Sequence, residues 1–187
     1  RSLIPGDDGF RFRHILIRDA AYMGVSKESR GQLHERYADW LERAAPDLDE
    51  IVGYHLEQAC RYRQELGQAD TAVAVRAGER LGRAGRRAVA RGDLPAAVTL
   101  LTRAAVLLPD SHGERRELLL LLATPLIRTG DFARAENVLN DALDAARAAD
   151  DKRLELRTLI ERELFRSFTR EEESVDDIVA VTDDELR

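Results

Sequence analysis

Two segments of the chain repeat one pattern at an offset of 38 residues, and this repeat constrains the fold more than any other feature. Residues 90–97 read Ala-Arg-Gly-Asp-Leu-Pro-Ala-Ala, and residues 128–135 read Arg-Thr-Gly-Asp-Phe-Ala-Arg-Ala. In each copy the glycine can adopt the left-handed conformation that ends a helix. The aspartate that follows is a good N-cap for the next helix. The pattern therefore predicts two helix–turn–helix units with corners at Gly92 and Gly130.

Composition agrees with a helical chain. Of the 187 residues, 44% are hydrophobic and only 5% are aromatic, and Ala, Leu, Arg and Glu outnumber the β-branched residues that favour strands. The alternation Phe-Arg-Phe-Arg at residues 10–13 is the one strand signal. Cys60 is the only cysteine, so a disulfide scaffold is excluded. No apolar run reaches the roughly 20 residues that span a bilayer, so we expect no membrane partner and a cytoplasmic location.

Start and stop signals divide the chain into helices. We predict helices over residues 14–23, from Ser26 to just before Pro46, from a cap at Asp47 or Asp49 to Gly67, and over residues 71–91. Residues 151–168 form a further helix, and residues 174–186 are a candidate partner for it. Between the paired helices of the repeat we expect a layer of buried small and large residues: Ala97, Leu101 and Ala104 in the first copy, and Ala135, Leu139 and Ala142 in the second.

The spacing around the two corners resembles the tetratricopeptide repeat. With the turn glycine at Gly92, the small residue of that repeat falls on Gly85 and its closing proline on Pro109. The resemblance implies an all-α fold of antiparallel helical hairpins in a right-handed superhelix, with at most one short N-terminal strand; an unrelated helical hairpin array is the alternative. It also implies a partner-binding groove lined by the first helix of each pair. The groove residues would be Glu79, Gly82, Arg86, Val89 and Ala90, and Glu117, Leu120, Thr124, Ile127 and Arg128.

The first part of the chain resembles the junction between the winged-helix segment and the helical repeats of bacterial STAND-type signalling ATPases. The resemblance rests on residues 10–22, 30–34, 38–42 and 51–59. It implies a non-catalytic interaction or sensor module, a piece of a larger signalling ATPase or transcriptional regulator. The implied partner is a protein, a peptide or another domain of the parent chain. A small-molecule effector sensor is the alternative function. No G-x-x-x-x-G-K-[S/T] loop occurs, so ATP is implied only for an ATPase domain outside this sequence.

These observations predict four regions. They are residues 1–46, a winged-helix remnant with junction helices; residues 47–77, linking helices; residues 78–149, two tetratricopeptide-like repeats; and residues 150–187, a degenerate or truncated third repeat with an acidic end.

Charge is unevenly distributed along the chain. The net charge is −6, and residues 171–187 alone carry −7, so the rest is nearly neutral and direct nucleic-acid binding is not expected. One helix nevertheless carries a stripe of four arginines at helical spacing: Arg76, Arg80, Arg83 and Arg87. The stripe could receive phosphate, another domain or an acidic peptide. The commoner alternative is that these arginines pair with Glu79 and nearby acids of the chain itself.

No pattern of catalytic or metal-binding residues stands out. His14, His34 and His55 lie on different predicted elements, without a cysteine or a second histidine at zinc spacing, so packing or capping roles are expected. Adjacent acids, as at residues 150–151, point about 100° apart on a helix and do not share a face. We therefore expect no catalysis, no metal and no cofactor in this part of the protein.

Overall fold

The computed structural model describes residues 13–185, with side chains described up to Ser167 and at Thr169. This part of the chain is all-α and contains no strand. Its helices are α1 (Ile15–Met23), α2 (Lys27–Ala44), α3 (Asp49–Glu65), α4 (Thr71–Ala90), α5 (Leu94–Leu107), α6 (Gly113–Arg128), α7 (Phe132–Ala148) and α8 (Lys152–Glu185). The all-α prediction is thus confirmed, while the strand predicted at residues 10–13 falls almost entirely outside the described residues.

The helices divide into two compact units between Pro109 and Asp110. In the first unit, α2 packs against α3, α3 against α4, and α4 against α5. In the second unit, α6 packs against α7 and α7 against α8. Within α2–α5 and within α6–α8, helices that follow one another in the chain are therefore also neighbours in space, as in an array of helical hairpins. The right-handed superhelix that the resemblance implies stays a prediction.

Both predicted corners are confirmed in detail. Gly92 has φ +74° and Gly130 has φ +77°, the left-handed conformation that a residue with a Cβ adopts only at a cost. Asp93 accepts a hydrogen bond from the backbone N–H of Ala96, and Asp131 accepts one from that of Arg134. Each corner thus ends one helix and caps the next, which fixes α4–α5 and α6–α7 as hairpins.

The layers inside these hairpins are built as predicted. The four alanines and two leucines predicted for these layers are fully buried: Ala97, Leu101, Ala104, Ala135, Leu139 and Ala142. Gly85 lets α4 approach α5 closely, because a Cβ built at Gly85 would lie 2.6 Å from Cδ2 of Leu101. The Leu101 side chain of the facing helix therefore fills the space that a side chain at position 85 would need.

Two local predictions were wrong. Neither Asp47 nor Asp49 caps α3: its N-cap is Leu48, without a side-chain hydrogen bond, and Asp49 is instead buried as the first helical residue. Residues 174–186 do not form a separate partner helix, because α8 runs from Lys152 to Glu185 without a break. The sequence has no Gly or Pro between residues 152 and 185, so nothing in it ends that helix.

Candidate functional site

The arginine stripe of α4 meets carboxylates on the two preceding helices. Arg76 donates to Asp39 and Glu42 of α2 at 2.6 and 2.9 Å. Arg80 donates to Glu42 at 3.1 Å and to Asp49, the first residue of α3, at 2.9 Å. The stripe therefore joins α4 to both α2 and α3.

Asp49 is the centre of this ion-pair network. Its side chain is only 5% exposed, and it accepts hydrogen bonds from Arg80, Arg83 and Arg87. Burial by itself would raise the pKa of the Asp49 carboxyl, but the hydrogen bonds from these three guanidinium groups outweigh burial and hold the pKa below its usual value. Asp49 is thus a buried, charged residue whose position depends on three cations.

These contacts decide between the two interpretations of the stripe. All four arginines form ion pairs with acids of the chain itself, namely Asp39, Glu42 and Asp49. The geometry thus favours the structural role over the docking of an acidic partner. The sequence pattern located the cations correctly but did not show which carboxylates they meet.

The predicted groove residues of α4 have mixed positions. Arg86 and Ala90 are exposed, Glu79 is half-buried and Gly82 is buried. Only part of this predicted face is therefore accessible.

Two of the predicted groove residues of α6, Glu117 and Thr124, contact side chains of α8. Glu117 accepts two hydrogen bonds from Arg157 of α8, at 3.0 and 3.2 Å. About two helical turns further along α6, the Thr124 hydroxyl lies 3.4 Å from Oε1 of Glu161. Arg128 is exposed at the end of α6, whereas Leu120 is buried. We call the surface defined by Glu117, Thr124, Arg128, Arg157 and Glu161 the α6–α8 polar surface.

Sequence reasoning missed a cluster of aromatic rings and histidines that joins α1, α2 and α3. We call it the tyrosine–histidine cluster, and it consists of Tyr22, His34, Tyr37, Trp40, Tyr54, His55 and Tyr62. His34 lies near its centre, with the rings of Tyr22, Tyr54, His55 and Tyr62 all within 6.4 Å of its own centroid.

Hydrogen bonds run through this cluster in one continuous chain. The Tyr62 and Tyr22 hydroxyls are 2.8 Å apart, Tyr22 lies 2.9 Å from Nε2 of His34, and Nδ1 of His34 lies 2.7 Å from Nδ1 of His55. Tyr22 donates to Tyr62, since this hydrogen bond raises the pKa of Tyr22 and lowers the pKa of Tyr62. In the same direction, Nε2–H of His34 can donate to Tyr22 and Nδ1–H of His55 to His34. The Tyr62 oxygen also accepts a hydrogen bond from Arg61 at 3.3 Å.

This environment keeps both histidines neutral. Burial lowers the pKa of His55 to about 4, with a smaller contribution from the neighbouring His34. Burial, and then the positive charge of Arg61, lower the pKa of His34 as well. Burial and the hydrogen bond with Tyr62 raise the pKa of Tyr22 to about 12. The chain of hydrogen bonds is therefore uncharged near neutral pH.

His14 has a capping role, one of the two roles predicted for it. Its Nδ1 accepts a hydrogen bond from the backbone N–H of Leu16, at 3.3 Å, and so caps α1. Cys60 is half-buried, and burial raises the pKa of its thiol to about 11, so that it remains protonated. Among the described residues, no group of three or more His, Cys, Asp or Glu side chains could hold a metal ion.

A cavity of about 730 Å³ lies at the end of the α6–α7 hairpin that is opposite the Gly130 corner. Its walls carry both signs of charge, with half-buried Arg115 and Arg116 from α6 and exposed Asp141 and Asp144 from α7. Ala145, Ala148 and Ala149 line the remainder of α7, and Asp110 and Ser111 complete the rim. Because most of these residues are exposed, the cavity is an open depression.

No family model matches this sequence, and no curated protein matches it. Within the part of the chain that the structure describes, no helix is both long and apolar enough to cross a membrane.

Proposed function

We propose that the chain is a non-catalytic, cytoplasmic helical-repeat module that binds a protein or peptide, or another domain of its parent chain. The observation that carries the proposal is the α6–α8 polar surface. Charged and hydroxyl side chains of α6 and α8 lie side by side there and are partly exposed: Glu117 is 41% exposed and Arg157 is 47% exposed. Such side chains suit an extended or helical peptide that replaces their mutual hydrogen bonds with its own.

The resemblance of the first part of the chain adds the context of this binding. We infer a place within a bacterial STAND-type signalling ATPase or transcriptional regulator, whose ATPase domain would bind the nucleotide. Helix α1 fits a junction of this kind, since Ile15, Leu16, Ile17 and Met23 are each at least 60% exposed. Exposed apolar side chains in such density are typical of a surface that another domain covers.

The α6–α7 cavity favours a second candidate function, the binding of a small polar effector. Its volume lies within the range of small-molecule sites, about 300–1,000 Å³. Such sites, however, enclose most of their ligand, whereas this cavity is open. We therefore rank the effector function second.

A substitution of Arg128 tests the proposed function. Arg128→Glu reverses one exposed charge at the end of the α6–α8 polar surface, and Arg91→Glu makes the same change at an exposed position after α4. With the tagged protein in the cells that produce it, we expect Arg128→Glu to reduce the recovery of its co-purifying polypeptide partner by about tenfold, the effect of a loss of about 1.4 kcal/mol. Mass spectrometry measures the recovered partner.

Arg91→Glu is expected to leave that recovery unchanged. Equal recovery with both variants would contradict the placement of the partner on this surface. Recovery of a low-molecular-weight compound in place of a polypeptide, insensitive to Arg128→Glu, would support the effector function instead.

A further inference from the structure

Helix α1 is attached to the rest of its unit at one end only. None of its nine residues is buried, and its apolar residues Ile15, Leu16 and Ile17 point largely into solvent. Its contacts with α2 and α3 converge on its last turn. There, Tyr22 meets His34 and Tyr62, while Arg30 donates to the Met23 carbonyl at 2.9 Å and lies over the Tyr22 ring.

A helix of this length is not stable alone in water. Without a buried face, its docking depends on the contacts of Arg30 with Met23 and the Tyr22 ring, and on those of the Tyr22 hydroxyl. The hydroxyl contacts are the middle links of the hydrogen-bond chain that ends in the His34–His55 pair. A change in the protonation or position of His34 therefore affects the docking of α1 directly.

We propose that α1 is a latch that closes on the α2–α3 hairpin through the Tyr22 hydroxyl, and that the charging of the His34–His55 pair opens it. The two Nδ1 atoms are 2.7 Å apart, so one must carry the hydrogen and donate the hydrogen bond, and the other must accept it. When both rings are protonated, two N–H groups and two positive charges face each other. His34 then turns away from His55, and this rotation breaks its hydrogen bond with the Tyr22 hydroxyl.

The surroundings of the pair do not offset this charge. From α1, only Tyr22 faces it. From α2, Tyr37 contacts His55, and Arg30 lies over the rings of Tyr22 and Tyr62. From α3, the neighbours are Tyr54, Tyr62 and Arg61. The charged groups in this set are both arginines, which repel a protonated histidine.

The direction of the pH dependence follows from the neutral state of the pair. Both histidines have a pKa below the usual value of about 6.5, so the folded state resists protonation. The stabilisation that they provide is complete above about pH 6.5 and is lost as the pH falls toward the pKa of His55, about 4. The latch is closed at neutral pH and opens in mild acid.

Hydrogen exchange with mass spectrometry tests the latch. The test uses a His14→Asn background, in which an amide oxygen replaces the ring nitrogen that caps α1. We expect the protection factors of α1 amides, corrected for intrinsic exchange, to fall about tenfold between about pH 7.5 and pH 5. Amides of α4 are the internal reference and are expected to change much less.

Two further variants in this background separate the latch from a merely structural role. His34→Gln offers Tyr22 an uncharged hydrogen-bonding partner, so α1 should stay protected at both pH values. Tyr22→Phe removes the hydroxyl, so α1 should exchange rapidly at both. The proposal is overturned if α1 protection does not depend on pH, if His34→Gln loses it equally in acid, if Tyr22→Phe retains it, or if α4 loses protection in step with α1.

Discussion

Asp49→Asn is expected to lower the free energy of unfolding of the α2–α5 unit by about 3–5 kcal/mol. The substitution removes the charge of a carboxylate whose side chain is 5% exposed, and it leaves Arg80, Arg83 and Arg87 facing one another without their shared partner. Trp40 is the only tryptophan and packs against the core of this unit, so denaturant unfolding followed by its fluorescence measures the effect.

Asp47→Asn is the matched control for this experiment. Asp47 lies two residues earlier and is exposed, so its loss should change the free energy of unfolding by less than about 0.5 kcal/mol. If the two variants were equally stable, Asp49 would not be the centre of the ion-pair network. A stabilising effect of Asp49→Asn would show that the desolvation free energy of the buried carboxylate exceeds the stabilisation from its three hydrogen bonds.

Gly85→Val should destabilise the same unit by about 3 kcal/mol, although valine has a higher helix propensity than glycine. The Cβ alone would lie 2.6 Å from Cδ2 and 2.8 Å from Cγ of Leu101, and 3.3 Å from its backbone nitrogen. A backbone atom and a branched carbon cannot both move aside, so α4 and α5 must separate. Thermal or denaturant unfolding followed by circular dichroism measures the loss.

Gly113→Val makes the same change at the start of α6, where a new Cβ would approach only the end of the Arg116 side chain, at 3.6 Å. We expect it to alter stability by less than about 0.5 kcal/mol. Comparable effects at Gly85 and Gly113 would mean that α4 and α5 do not approach each other closely at Gly85.

The features that the sequence predicted correctly are those that local chemistry determines. Gly92 and Gly130 end helices because of their own conformational freedom, and Asp93 and Asp131 cap helices through backbone groups three residues away. The buried leucine and alanine layers follow from helical periodicity. These signals lie within a few residues of one another, so one sequence is enough to read them.

The role of Asp49 could not be read in this way. Asp47 and Asp49, just after Pro46, are natural N-cap candidates, and that interpretation was wrong. The actual partners of Asp49 are 31 to 38 residues away, on α4. The arginine spacing on α4 did signal a need for negative charge, but the choice among the nearby acids depends on how the helices pack.

The tyrosine–histidine cluster was missed for a related reason. His34 and His55 are 21 residues apart on different helices, and Tyr22 is 40 residues from Tyr62. The pair does not have the sequence spacing of an ordinary zinc site. The density of Tyr, His and Trp between residues 22 and 62 was the available signal, since the chain as a whole is poor in aromatic residues.

The proposed function depends most on the α6–α8 polar surface, and site-specific photo-crosslinking tests that surface most directly. A photo-crosslinking amino acid replaces Thr124, which faces α8, and in a parallel sample it replaces Asn137, which is exposed on α7. After irradiation in the producing cells, we predict a polypeptide adduct at position 124, visible as a discrete mass increase on a denaturing gel, and none at position 137. Adducts at both positions alike, or at position 137 alone, would contradict the account.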